Sequence, residues 1–159
     1  MKAMSDTLDL FQIAEIELMY KGKGDYQRPV IQTAEQAYQL LRHTWDDNKI
    51  ELLEQFKIVL LDNNGECLGI AEMASGNITC CLVDVRLIFA TALKSRATSI
   101  ILAHNHPSGN LKPSTHDMKL TQKIMEGGSI LDVAVSDHLI VTCKGYYSFA
   151  NENVMPAPF

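Results

Sequence analysis

Fourteen residues of this 159-residue chain, His104-Asn105-His106-Pro107-Ser108-Gly109-Asn110-Leu111-Lys112-Pro113-Ser114-Thr115-His116-Asp117, combine the residue types of a metal site with those of its catalytic support. Two histidines at i and i+2 point to the same side of an extended segment, because strand side chains alternate with period two. Asp117, eleven residues after His106, can return on the next element as a third ligand. Two imidazoles and one carboxylate leave one of zinc's four positions open, the arrangement of a hydrolytic zinc rather than a structural one. Four of the five histidines (His104, His106, His116 and His138) fall within 35 residues, and two of them form this pair. His104 and His106 are therefore read as ligands.

Plainer roles exist for the other members. Asp117 lies three residues after Ser114, where an acidic side chain completes a capping box and favours the positive end of a helix. The two roles are compatible, since a first helical turn can hold Asp117 against a metal while Ser114 faces a substrate. Zinc brings the pKa of a water toward ~7, and a base must then take the proton and pass it to a leaving amine. That base has to be a glutamate outside the fourteen residues. Glu54 and Glu72 both flank the hairpin that precedes the histidines. Glu51, Glu66 and Glu126 suit less well, lying on an exposed face, at a turn and at a helix end.

Several elements must position these groups. Residues 11–20 alternate well enough for a strand, and 21–29, with two glycines and a proline, read as a loop. Thr33-Ala34-Glu35-Gln36 predicts a capping box opening a helix with Ala37, Leu40, Leu41 and Trp45 on its apolar side, stopped by Asp46-Asp47-Asn48. A helical turn through Leu52-Leu53 leads to a strand from Phe56 to Leu61, and Asn64-Gly65 predicts a type I′ hairpin returning through Leu68 to Met73. A short strand ending near Val83 is expected next. Asp84 then caps a helix bearing Val85, Ile88, Phe89, Ala92 and Leu93. The strand Thr98 to Ala103 delivers His104 and His106 at its end. Ser114 caps a third helix that Gly127-Gly128 should stop. Strands at 130–135, 139–142 and 146–149 close the fold, and the tail with Pro156 and Pro158 is expected to be loose. Together these elements predict an α/β sandwich with a mixed β-sheet flanked by helices.

Composition narrows the class. Apolar content of 47% and charged content of 21% are ordinary for one globular domain. No apolar run approaches the eighteen or more residues of a membrane helix, and no secretion signal is evident. Cys67, Cys80, Cys81 and Cys143 lack knuckle or redox spacing and read as small buried residues in a reducing, cytoplasmic setting. A net charge of −5 counts against strong nucleic-acid binding, and Lys112, Lys119 and Lys123 read as a solvated helix face.

His-Asn-His-Pro-Ser-Gly followed by Pro-Ser-x-x-Asp resembles the metal motif of the JAB/MPN (JAMM) metallopeptidases, specifically the bacterial RadC-like branch. The family pattern is an upstream glutamate, H-x-H, seven residues, a serine, two residues and an aspartate. His104, His106, Ser114 and Asp117 match it. Gly76, Arg86, Ala92-Leu93, Asp137-His138-Leu139-Ile140 and Tyr147-Ser148-Phe149 extend the likeness over roughly Ile50 to Asn151. The resemblance implies the MPN/JAB architecture, a cytidine-deaminase-like sandwich, for residues 50–151, with 1–49 packed onto it and 152–159 a tail. It implies Zn2+ held by His104, His106 and Asp117, Ser114 assisting the oxyanion, and Glu54, two residues before the aromatic Phe56, as the base. Glu72 then becomes a sheet residue, and Asp137-His138 is read as a hydrogen-bonded pair at a strand end.

The chain departs from longer RadC proteins in two places. Val85-Arg86-Leu87 replaces their proline-arginine-glutamate, and residues 1–45 do not resemble their helix-hairpin-helix region, which counts against DNA binding. The function implied is zinc-dependent hydrolysis of a peptide or isopeptide bond. The alternatives are a non-catalytic MPN-type scaffold or an accessory role in DNA repair. HNH nucleases spread their named residues along a hairpin, and amidohydrolase barrels need about 250 residues; neither fits.

Overall fold

A computed structural model of the chain describes residues 27–78 and 81–156. The strands β1 (Gln55–Leu61), β2 (Cys67–Ser75), β3 (Ser99–Asn105), β4 (Ala134–Val141) and β5 (Tyr146–Ser148) form one sheet in the order β2-β1-β3-β4-β5. Its helices are α1 (Ala34–Thr44), α2 (Val85–Lys94) and α3 (Thr115–Leu131). Only β3 and β4 are parallel, and α3 supplies the crossover that such a pair requires; the other neighbours are antiparallel. The mixed α/β sheet flanked by helices is as the sequence predicts.

Both faces of the sheet are covered, which explains why β1 is buried at every position and β3 at nearly every one. Val59, Leu61, Ile101, Ala103, Leu139 and Val141 pack with Ala37, Leu41 and Trp45 of the α1 layer. Ile58, Leu60, Ile100 and Leu102 pack with Ile88, Phe89 and Ala92 of α2 and Ile124 of α3. Strand alternation thus sends successive residues of β3 into two different cores.

The helix starts behave as read. Thr33 closes a capping box with Gln36, Asp84 accepts from Arg86 N, and Ser114 closes a box with Asp117. Other details differ. Asn64 does not take a positive φ; the hairpin turn is closed by Gly65 N–H on the Asp62 carbonyl, and Gly65 alone in that loop is left-handed, at φ 76°. This is a three-residue loop with a glycine bulge, not the two-residue type I′ turn. Residues 81–83 form no strand. Leu93 is 49% exposed, on the flank of α2 that faces away from the sheet. Cys67 and Cys81 are buried as expected, whereas Cys143 lies exposed in the turn between β4 and β5. The expected strand at 11–20, Cys80 and residues 157–159 lie outside the described residues. Among the described residues no helix is long and apolar enough to cross a membrane.

The largest correction concerns Gly127-Gly128, which sit inside α3 rather than ending it. They are needed for close approach: a Cβ on Gly127 would meet the Phe89 ring at 2.7 Å, and one on Gly128 would collide with the Val133 carbonyl oxygen. The stop comes later, at Asp132, whose left-handed φ of 53° lets Asp132 and Val133 N–H return to the Gly128 carbonyl. Ile130 and Leu131 are therefore helical, and the two strands expected at 130–135 and 139–142 merge into the single β4.

Gly128→Ala tests this packing. Alanine gains about 1 kcal/mol of helix propensity, but the new methyl faces rigid backbone, so a net loss of about 1–3 kcal/mol is expected. A lower urea midpoint at unchanged m value is the readout.

Candidate metal centre

His104 is the penultimate residue of β3 and shares the α2/α3 side with Ile100 and Leu102, while His106 follows one residue past the strand end. Their Nε2 atoms face each other at 3.0 Å. Asp117, in the first turn of α3, brings Oδ1 to 3.4 Å from His104 Nε2 and Oδ2 to 3.8 Å from His106 Nε2. One ligand atom from each of the three side chains lies within 4.8 Å of the others, and His104 and Asp117 are buried. This is a group that can hold a metal ion, built from the end of a strand and the start of the next helix.

The donor chemistry fits a cation. His106 Nδ1 lies 2.6 Å from the Asn110 carbonyl oxygen, which can only accept, so the proton is on Nδ1. In the neutral ring, Nε2 is then a bare lone pair directed at His104 and Asp117. His104 uses its other nitrogen, Nδ1, on His138 Nε2 at 2.8 Å. Acceptors converging on one point repel each other unless positive charge lies among them. Burial alone would raise the Asp117 carboxyl, but the adjoining His104 and His106 rings and the Ser114 hydroxyl hold it well below the usual carboxylate range. Asp117 in turn raises His106, against the lowering effect of burial.

Asp117 is both cap and cluster member. Its Oδ2 accepts from Ser114 N and from Ser114 Oγ, each at 2.7 Å, and its N–H returns to Ser114 Oγ at 3.1 Å. Oδ1 is left to face His104. Ser114 is exposed and borders the same groove, with its hydroxyl proton directed at Asp117.

Glu54 borders this groove too, together with Ile78, His106, Lys112 and Asp117, in a cavity of about 590 Å³. It is half-buried, and burial pushes its carboxyl above the ordinary glutamate value, with His104 and His106 pulling the other way. Glu72 stands apart from the groove, exposed on β2, where its Oε2 accepts from Gln55 Nε2. Glu51 is exposed, as read, yet reaches the groove's rim. A larger cavity, about 770 Å³, lies near Ile31, Asp62, Ser99 and Tyr146. It contains none of the three clustered residues, so chemistry rather than volume locates the site.

Sequence reasoning passed over two supporting residues. Asn105, fully buried between the two histidines, points to the other face of the sheet. Its Oδ1 accepts from Gln55 N at 2.7 Å and its Nδ2 donates to the Ile50 and Leu53 carbonyls at 2.7 and 2.8 Å. Those bonds bracket Glu54, whose own N–H and carbonyl are held by Asn77 and Gly76. The available signal was the asparagine itself, a polar residue in a strand covered on both faces. His138 is the second. It sits inside β4 rather than at a strand end, and although its N–H does bond Asp137 Oδ1, its ring supports His104.

The model of the RadC-like JAB domain family matches residues 31–154. Similar proteins include a UPF0758 protein of Flavobacterium johnsoniae, 46% identical over 101 residues that cover 64% of this chain and 44% of that protein. One from Protochlamydia amoebophila is 35% identical over 128 residues, covering 80% and 54%. Another, from Rubrobacter xylanophilus, is 35% identical over 130 residues, covering 80% and 55%. The chain spans about half the length of these curated relatives.

The desolvated Glu54 has a measurable consequence. A carboxyl raised in the folded state contributes stability below its unfolded pKa of ~4.3 and loses it as pH rises through the folded value. Metal-free Glu54→Gln is therefore expected to melt about 1–3 °C above wild type at pH 7. The gap should close near pH ~4, where both side chains are neutral; thermal scans at the two pH values decide it.

Proposed function

The chain belongs to the RadC-like JAB domain family, and on that premise we propose that it is a zinc-dependent hydrolase of peptide or isopeptide bonds. The observation that carries the proposal is the convergence of His104, His106 and Asp117 in a groove that Glu54 also borders. Two imidazoles and a carboxylate are the ligand set of a hydrolytic zinc, with one position left for water or substrate. When bound, the ion supplies Lewis acidity, polarising a scissile carbonyl and acidifying a water.

The chain's own residues supply the rest. Glu54 accepts the proton of the attacking water and returns it to the departing amine. Its backbone is pinned on both sides by Asn105 and by residues 76–77, which fixes where the side chain leaves the main chain at the groove. Ser114 donates its hydroxyl to the oxyanion as charge develops. To do so it must turn from Asp117, which keeps the backbone N–H of Ser114 in exchange. Ile78, 70% exposed at the groove edge, offers apolar contact to a substrate side chain. A cytoplasmic setting accords with cysteines that show no disulfide framework, and the net charge of −5 disfavours a nucleic-acid substrate.

Two measurements test the reading. Elemental analysis of purified protein should find one zinc per chain, absent in Asp117→Ala. A library of internally quenched peptides and of lysine ε-amino-linked isopeptides should reveal chelator-sensitive cleavage. Glu54→Gln should lower turnover by about 10²–10⁴-fold with zinc retained. Full turnover in that variant would remove Glu54 from the mechanism, and bound zinc without any cleavage would favour a non-catalytic scaffold.

A further inference from the structure

Behind His104 runs a closed path of hydrogen bonds that joins one clustered residue to another. Thr121 Oγ1 lies 2.6 Å from the Asp117 carbonyl oxygen and 2.6 Å from His138 Nδ1. His138 Nε2 lies 2.8 Å from His104 Nδ1. The path therefore leaves β3, crosses to β4, and ends on the backbone of α3 at Asp117.

The direction of every bond follows from one fact. A carbonyl oxygen has no proton, so the single hydroxyl proton of Thr121 goes to Asp117. Toward His138 the threonine oxygen can then only accept, which places a proton on His138 Nδ1. His138 is fully buried, with its ring stacked on Phe149 at 4.6 Å and set edge-on to Phe56 at 5.7 Å. The nearby Asp137 carboxylate is engaged by Ser148 Oγ and by the backbone of His138 and Ala150, not by the ring. Enclosed between those two aromatic rings with no carboxylate bonded to it, the His138 ring carries a single proton. Its Nε2 is thus an acceptor, His104 Nδ1 is the donor, and His104 Nε2 is bare toward His106 and Asp117.

We propose that Thr121 and His138 are positioning residues of the metal centre, fixing His104 in the Nδ1–H tautomer and locking the β3 ligand to the α3 ligand. This rests on the reading that His104, His106 and Asp117 hold zinc. The reason two residues are needed is chemical. Histidine ligands are ordinarily oriented by a carboxylate, carbonyl or water, and the Asn110 carbonyl serves His106 in that way. An imidazole partner can either donate or accept, so it fixes nothing until a third group fixes it. Thr121 lies one helical turn after Asp117, so its hydroxyl reaches that carbonyl by the ordinary i to i−4 bond of a helical threonine. The helix that presents the carboxylate therefore also sets, one turn later, the tautomer of the histidine opposite.

Thr121→Val removes the hydroxyl at nearly constant volume, and Thr121→Ser restores it. In zinc competition against a chromophoric chelator, Thr121→Val should bind about 10–100-fold more weakly than wild type, and Thr121→Ser close to wild type. Imidazole 15N spectra of the metal-free wild type should show His104 and His138 protonated at Nδ1, with His138 losing that preference in Thr121→Val. A wild type that binds no zinc overturns the metal reading and this inference with it. A wild type that binds zinc while Thr121→Val binds within twofold of it, or one whose His104 carries its proton on Nε2, overturns this inference alone.

Discussion

Two imidazole nitrogens held 3.0 Å apart, with a carboxylate beside them, are the constraint around which the surrounding structure is arranged. Such groups do not gather spontaneously: each loses hydration, and the bare acceptors repel. The fold compensates with bonds that engage the outer edge of every member. Asn110 holds His106, His138 holds His104, and Ser114 holds Asp117. With their outward atoms committed, the three side chains have their remaining atoms directed inward.

β3 carries this arrangement because it is covered on both faces. Its last residues alternate, so His104 enters the α2/α3 side while Asn105 enters the α1 side. One residue faces His106 and Asp117 and the next ties down the turn that holds Glu54. A buried amide left unpaired would cost about 1–3 kcal/mol, yet Asn105 makes three bonds and all run to main chain. β3 thus links the cluster on one face of the sheet to the turn bearing Glu54 on the other.

The same logic explains the tension between stability and site. Glu54 is half-buried with its charged form disfavoured, whereas Asp117 is buried with its charged form strongly favoured by its donors. Two carboxylates bordering one groove are driven in opposite directions by what surrounds them, which is how like groups acquire different roles.

The sequence by itself marked the cluster of His104, His106 and Asp117, the helix caps and the sheet class, because each is written in local spacing. H-x-H at a strand end, Ser114 three residues before Asp117, and the periodicities of β1, α1 and α2 need no partner to be read. What it misjudged depends on contacts from outside each motif: Gly127-Gly128 look like a stop until Phe89 and Val133 press on them. Asn64-Gly65 was legible as a hairpin but not as a bulged loop, since Asp62 decides its turn. The roles of Asn105 and His138 are not written locally, because their side-chain partners lie 50 to 55 and 17 to 34 residues away. Only tertiary structure brings a buried polar atom to the atom that satisfies it, so only tertiary structure decided which residues hold the Glu54 turn and which contact the His104 ring.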